Sequence, residues 1–138
     1  METSVNNKCK AFTSLEQSHK LAEILPLESA DMYYFDDNGG EPNFKVHNGI
    51  TYYYDSEDCL CCWSLTALLD IMPKDKSVEC SISFGYYNGK GEYIEKWLCA
   101  FEKEGETTDD YIIETTDGDN PVDACYEMIL KLHELKML

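Results

Sequence analysis

The stretch that decides the fold is VECSISFGYYNGKGEYIEKWLCAF, residues 78–101. Two segments rich in β-branched and aromatic residues, 78–87 and 92–101, flank the turn residues 88–91. Asn-Gly and other glycine dipeptides between two such segments are typical of β-hairpins. The sequence therefore predicts a hairpin whose two-residue loop is either Asn88-Gly89 or Gly89-Lys90.

The alternation of side chains along this hairpin predicts a core face. The two possible registers differ by a shift of two positions, and side chains alternate with a period of two. The same residues therefore share a face in either register. The predicted face contains Glu95 as its one charged residue, and its other members are Cys80, Ile82, Phe84, Tyr86, Tyr93, Trp97, Cys99 and Phe101. Cys80 and Cys99 would be directly opposite if Gly89-Lys90 is the loop, at a separation that suits a disulfide. Two packed, reduced thiols are the interpretation that a reducing cytosol favours.

Three other segments have the period of amphipathic helices. Ser14 and Gln17 form a capping-box pattern at the start of the first helix, and Pro26 predicts its end. Ser64 predicts the cap of the second helix. Asn120, followed directly by proline, predicts the start of the third.

The remaining segments predict strands and complete the fold class. Residues 32–35 and 111–116 are predicted strands, and Asn48-Gly49 predicts a further hairpin between 44–47 and 50–54. We predict an α+β fold, in which an antiparallel sheet, built from a hairpin and a three-stranded meander, packs against about three helices. Residues 1–13 are predicted to form a flexible N-terminal arm and residues 14–138 a single α+β domain.

The charge balance excludes several classes of partner. The chain carries 27 acidic residues against 11 lysines, has no arginine, and has a formal net charge of −16. Nucleic-acid binding depends on cationic contacts with phosphates, so direct binding to nucleic acids or anionic membranes is not expected. The polar start lacks the apolar core of a signal peptide, and the longest uncharged stretch, 59–69, is too short to span a bilayer. We therefore expect a cytoplasmic protein.

The candidate chemical motifs are incomplete. Cys59, Cys61 and Cys62 suggest a metal site, but the second pair of ligands that structural zinc sites have is missing. No histidine is placed beside a cysteine, so a nucleophilic pair is not indicated. The segment 117–120 resembles the start of a calcium loop but fails at the next positions, where helix capping explains it better. We expect no catalytic residue, metal or cofactor, and we regard an enzyme as the less favoured class.

Tyrosines and carboxylates form the predicted binding surface. Alternation in the tyrosine runs forces some rings outward, although tyrosine also suits half-buried strands. Residues 101–123 contain nine acidic residues and one lysine, a net charge of −8, and residues 31–58 contain seven and one, a net charge of −6. Exposed tyrosine is typical of interfaces. The predicted surface residues are Tyr52, Tyr54, Tyr87, Asp109, Asp110, Asp117 and Asp119.

Three segments also carry a resemblance. ESADMY (28–33), CWSLTALL (62–69) and DNPVDAC (119–125) resemble segments of small uncharacterised proteins from bacteriophages and mobile elements of gut Bacteroides-type bacteria. The resemblance covers most of the chain after residue 14. It implies a bacterial cytoplasmic or phage-encoded setting and gives no mechanism.

Three functional hypotheses follow from these observations. The first is an accessory protein that binds another, possibly basic, protein as a monomer or small homo-oligomer. The second is an anti-defence protein whose carboxylates imitate DNA phosphates. The third is a small cysteine-dependent enzyme or metal-binding protein built around Cys59, Cys61 and Cys62.

Overall fold

The structure, a computed structural model, describes residues 10–35, 45–49, 59–107 and 111–138. Within these residues the chain forms three α-helices and two three-stranded antiparallel sheets. The predicted α+β class is therefore confirmed, with two separate sheets in place of the expected one. The chain clusters into two compact units, Ala11–Ile71 and Met72–Leu138 with Met1–Lys10. The prediction of a single domain over 14–138 stays a prediction.

The Ala11–Ile71 unit contains the first two helices and the first sheet. Its elements are α1 (Leu15–Ile24), a 3-10 helix (Leu27–Ser29), β1 (Met32–Phe35), β2 (Lys45–Asn48), β3 (Cys59–Cys62) and α2 (Leu65–Ile71). The capping box predicted for α1 is confirmed, since the Ser14 hydroxyl accepts the Gln17 amide and the Gln17 side chain accepts the Ser14 amide. At the start of α2, the Ser64 hydroxyl accepts the Ala67 amide, as its predicted cap requires.

The first sheet has the order β2-β1-β3, with β1 in the centre. Its buried side chains Tyr34, Leu60 and Cys62 form the core cluster of this unit. Strand β2 includes most of the first half of the predicted hairpin around Asn48-Gly49, and it pairs with β1. The predicted second half, 50–54, lies outside the described residues. The sequence did not predict strand β3, where all four side chains are buried.

Thr13 ties the segment before α1 to the end of β3. It is completely buried, and its backbone amide donates to the carbonyl of Trp63 at 2.9 Å. Its hydroxyl accepts the Trp63 amide at 3.1 Å and lies 2.8 Å from the Ser18 hydroxyl. Its carbonyl accepts the Tyr34 hydroxyl at 2.7 Å. Residues 1–9 of the predicted arm lie outside the described residues, whereas Thr13 is part of this buried network.

The other unit is a meander followed by a helix. It consists of β4 (Val78–Tyr87), β5 (Tyr93–Lys103), β6 (Ile112–Gly118) and α3 (Pro121–Glu134). The strands pair in the order β4-β5-β6, which confirms the predicted meander. Helix α3 begins as predicted, because the Asn120 side chain accepts the Asp123 amide at 2.8 Å and Pro121 occupies the first turn. The buried face of α3 contains Val122, Ala124, Cys125, Met128, Ile129 and Leu132.

The pairing of β4 with β5 confirms part of the predicted core face. Cys80 faces Phe101, Ile82 faces Cys99, and Phe84 faces Trp97. Cys99 and Phe101 are completely buried. Cys80 and Cys99 are therefore diagonal neighbours and not the directly opposite pair that one predicted register required.

Gly118 lets the start of α3 approach the end of β6. A Cβ atom at this position would lie 2.8 Å from the Ala124 amide nitrogen and 2.8 Å from the Cβ of Asp123. The same approach allows the Thr116 hydroxyl to donate to the Ala124 carbonyl at 2.7 Å. The absence of a side chain at Gly118 is therefore a condition for this packing.

None of the helices in the described residues is both long enough and apolar enough to cross a bilayer.

Candidate functional site at the tip of the β4–β5 hairpin

The turn of the β4–β5 hairpin is held by Asn88. Its side-chain oxygen accepts the amides of Lys90 at 2.9 Å and of Glu92 at 3.0 Å. The backbone amide of Asn88 donates to the backbone carbonyl of Glu92 at 2.9 Å. The loop between these two residues therefore has three residues, Gly89, Lys90 and Gly91. Gly91 has a φ of 80°, as the last residue of such a loop requires. Both predicted two-residue loops are therefore wrong, since the side chain of Asn88 closes a longer turn.

A β-bulge next to the turn changes the register. Phe84 faces Trp97, but Tyr86 faces Ile94, so β5 has one more residue than β4 between these pairs. Gly85 lies opposite the extra residue with a φ of 81°. A Cβ at Gly85 would lie 1.9 Å from the hydroxyl oxygen of Tyr93, whose ring occupies that space.

Because of the bulge, the face predicted for the residues near the turn is wrong. Tyr93 was expected to share a face with Tyr86 and Trp97, but it pairs with Tyr87. Glu95, the one charged residue of the predicted core face, lies in the bulge and is exposed. The extra residue in β5 is the physical reason, because one residue of slip exchanges the two faces of a strand.

Four aromatic side chains form what we call the aromatic tip: Phe84, Tyr87, Tyr93 and Trp97. Tyr87 is 73% exposed, Phe84 52% and Tyr93 51%. The rings of Tyr87 and Tyr93 lie 5.2 Å apart, and those of Phe84 and Trp97 lie 5.5 Å apart in an edge-to-face arrangement. Two members predicted for the core, Phe84 and Tyr93, are thus surface residues.

The length of β6 explains this exposure. β6 ends at Gly118, opposite Trp97, whereas β4 and β5 continue beyond that pair to the turn. Helix α3 follows directly after β6 and packs on β5 and β6, where its Cys125 contacts Cys99. The hairpin therefore extends past the third strand, with Phe84 and Trp97 at the base of this two-stranded extension and Tyr87 and Tyr93 within it.

Three of the predicted surface residues lie in this region or near it. Tyr87 is part of the aromatic tip. Asp117 accepts a hydrogen bond from the Tyr86 hydroxyl at 2.5 Å, and this bond raises the pKa of Tyr86. Asp119 is exposed and follows β6. The other predicted residues, Tyr52, Tyr54, Asp109 and Asp110, lie outside the described residues.

The described carboxylates of the acidic segment 101–123 are spread along β6. Glu102 and Glu104 lie at the end of β6 opposite to that of Asp117, and a seven-residue strand is about 20 Å long. Glu102 faces Glu79 across the β4–β5 pair and accepts the Tyr111 hydroxyl at 2.8 Å. That hydrogen bond is the main reason why the pKa of Tyr111 is raised. We call Glu79, Glu102 and Glu104 the acidic end.

The three closely spaced cysteines of the sequence belong to the Ala11–Ile71 unit. Cys59, Cys61 and Cys62 are all buried in β3. Burial raises the pKa of the Cys62 thiol, although hydrogen bonds from neighbouring hydroxyls oppose this effect. Among the residues that the structure describes, no three histidine, cysteine, aspartate or glutamate side chains are grouped to hold a metal ion.

In the other unit, one cysteine contacts two others. Cys99 contacts Cys80 on the neighbouring strand and Cys125 on α3. Its hydrogen bond with Cys125 is the largest reason why its pKa is raised to about 12. Such thiols remain protonated at neutral pH, and a protonated thiol is a poor nucleophile and a poor metal ligand.

We expect Cys59, Cys61 and Cys62 to resist modification in the folded chain. Because they are buried, iodoacetamide at neutral pH should modify them about 100-fold more slowly than in denaturant. Peptide-resolved mass spectrometry of timed samples measures each rate. Fast modification of any of the three would show an accessible thiol and would support the cysteine-dependent hypothesis.

The sequence assigned Phe84, Tyr93 and Trp97 to the core and so did not identify the aromatic tip. Two signals point to it in retrospect. The predicted third strand, 111–116, is much shorter than the two arms of the hairpin. Glu95 also interrupts an otherwise apolar face close to the turn.

Comparison with known proteins does not add a relative. No protein-family model matches the chain, and no curated protein or solved structure matches it significantly.

Proposed function

We propose that the chain is an accessory protein that binds another protein through its aromatic tip. The observation that carries this proposal is an ordered turn that holds large aromatic side chains in solvent. Tyr87, the most exposed of them, gains little from its position in the folded chain, because exposed apolar surface contributes no burial energy. Tyrosine and tryptophan are enriched among the residues that dominate binding energy at interfaces.

The rigidity of the turn supports the same proposal. Asn88 fixes the backbone of the loop through three hydrogen bonds with Lys90 and Glu92. The space over Gly85 holds the Tyr93 ring. A binding surface that is ordered before it meets its partner loses less conformational entropy on association.

The net charge of the chain favours a basic partner. Beside the tip, Glu92 and Glu95 are exposed together with Lys90 and Lys96, and Asp117 lies at the nearby end of β6. The whole chain carries a net charge of −16, which attracts basic surfaces over several ångströms. A partner with lysine or arginine around an apolar centre fits this combination. A phage-encoded or mobile-element setting, as the resemblance implies, would make a host protein the natural target.

The test is capture of a partner with matched tyrosine variants. Immobilised protein with Tyr87→Ala and Tyr93→Ala should retain at least about tenfold less of a specific lysate protein than the unmodified chain. Tyr111→Ala is the control, because Tyr111 is 43% exposed on the same sheet but lies at the other end of β6. Quantitative mass spectrometry of the retained proteins measures the difference. A protein retained equally by all three baits would count against the aromatic tip.

A second candidate function is DNA mimicry, and the acidic end favours it. Glu79 directly faces Glu102, an arrangement of like charges that destabilises a sheet unless something else is gained. Binding through carboxylates in place of phosphates should weaken steeply with salt. Glu79→Gln with Glu102→Gln should then abolish capture of a DNA-binding protein, and Tyr87→Ala with Tyr93→Ala should leave it unchanged. The two sets of variants therefore separate the two functions.

A further inference from the structure

Within the described residues, the outer edge of strand β4 is unpaired. It lies at the end of the order β4-β5-β6, and no other strand of the described residues pairs with it. It is ten residues long and has one charged residue, Glu79, and no proline. Edge strands of soluble proteins are usually protected by lysine, proline, bulges or short length, because an open edge is a template for another strand. The bulge near Gly85 leaves the segment 78–84 regular.

The opposite edge of the sheet is better protected. Strand β6 has seven residues, and Lys131 of α3 reaches over it. The Lys131 ammonium forms an ion pair with Glu114 at 3.1 Å and donates to the carbonyl of Thr115 at 3.5 Å. The contrast marks β4 as the edge that is able to accept a further strand.

The side chains of β4 fit a second copy of the same strand. In an antiparallel pair with Ser83 opposite Ser83, Ile82 of one copy faces Phe84 of the other, and both residues belong to the regular segment. Ile82 is partly buried and Phe84 is 52% exposed, so each would gain an apolar neighbour. Residues that face each other share a side of the sheet, so the α3 helices of both copies would lie on the same side.

We propose that two copies of the chain associate through their β4 edges and form a continuous six-stranded antiparallel sheet. An antiparallel edge is self-complementary under a twofold axis, which is the symmetry of most dimers. Residues 80–87 are uncharged in a chain of which 28% is charged, so this edge matches an uncharged strand better than a basic one. Phe84 belongs both to this edge and to the aromatic tip, so the dimer and the partner proposed above would compete for it.

Salt distinguishes the dimer from that partner. Each copy carries a net charge of −16, so two copies repel each other, and salt screens the repulsion. Association through β4 should strengthen as salt is raised, whereas binding of a basic partner should weaken. The salt dependence of association can therefore disprove one of the two interactions and leave the other standing.

The test is sedimentation of the purified full chain under reducing conditions, which exclude disulfide-linked pairs. The mass should rise from 15.8 kDa toward twice that value between about 5 and 500 µM, as expected for a small and weak interface. Ser83→Lys places two like charges opposite each other and should weaken association at least about tenfold. Thr115→Lys is the control. Thr115 is exposed on β6, so this substitution adds the same charge away from the proposed interface. Circular dichroism verifies that both variants fold.

Hydrogen exchange locates the interface. Backbone amides of β4 should exchange more slowly at high concentration than at low concentration, and those of β6 should not change. A constant monomer mass up to about 500 µM would overturn the proposal. So would equal association of the Ser83→Lys and Thr115→Lys variants, or protection that appears only outside β4.

Discussion

Thr13→Val should lower the free energy of unfolding of the Ala11–Ile71 unit by about 2–4 kcal/mol. Valine has almost the shape of threonine but no hydroxyl. The buried amide of Trp63 would lose its side-chain acceptor, and the buried hydroxyl of Ser18 would lose one of its partners and keep its hydrogen bond with Cys62. A buried polar group left without a hydrogen bond costs about 1–3 kcal/mol, and the added methyl offsets only part of these losses. Urea denaturation, followed through amide exchange in this unit, measures the effect.

Thr13→Ser is the matched control for this prediction. It keeps the hydroxyl that serves Trp63 and Ser18 and removes one methyl group, which should cost about 1 kcal/mol. Equal losses for the two variants would mean that the packing of Thr13 matters and its hydrogen bonds do not.

Gly118→Ala should destabilise the other unit by about 1–3 kcal/mol. The new methyl group would lie 2.8 Å from the Ala124 amide nitrogen, which belongs to the backbone of α3. Because backbone cannot rotate away as a side chain does, α3 must move from β6. The movement would also strain the hydrogen bond from Thr116 to the Ala124 carbonyl. Thermal denaturation followed by circular dichroism measures the loss as a lower melting temperature.

Gly89→Ala is the control for the Gly118 variant. Gly89 lies in the hairpin loop, where an added Cβ meets no atom within 4 Å and the backbone does not adopt a positive φ. Its replacement should change stability by no more than about 0.5 kcal/mol. If both alanine variants lost the same stability, the close approach of α3 would not be the cause.

The helices could be predicted from the sequence because their signals are local. Ser14 and Asn120 each accept the amide three residues later, and Gln17 accepts the Ser14 amide in return. Pro121 has a φ that suits the first helical position. A cap of this kind does not depend on which strand or helix packs against the element. All three predicted helix starts are confirmed for this reason.

Strand β3 could not be predicted because its partner is distant. Cys61 and Cys62 are buried by pairing with Tyr33 and Met32 of β1, about thirty positions earlier in the chain. The three close cysteines suggested a metal site because cysteine near cysteine is the usual signal for one. Here they are small apolar side chains of a buried strand.

The hairpin register shows a further limit of alternation. Alternation correctly placed Phe84 on the same face as Trp97, and Cys80 on the same face as Phe101. It was wrong for Tyr93, because the three-residue loop and the extra residue in β5 each change the register by one. Neither change leaves a mark in the hydrophobic pattern.

The bulge has a consequence for the shape of any partner. Tyr93 and Trp97 are four positions apart, and a regular strand would place both rings on one side. The ring of Tyr93 lies over Gly85, and Phe84 stays with Trp97, so one pair of rings lies on each side of the hairpin. A flat surface would touch only one pair at a time. A cleft into which the hairpin inserts as a wedge would enclose both, and its two walls should each be apolar, with basic residues at the rim.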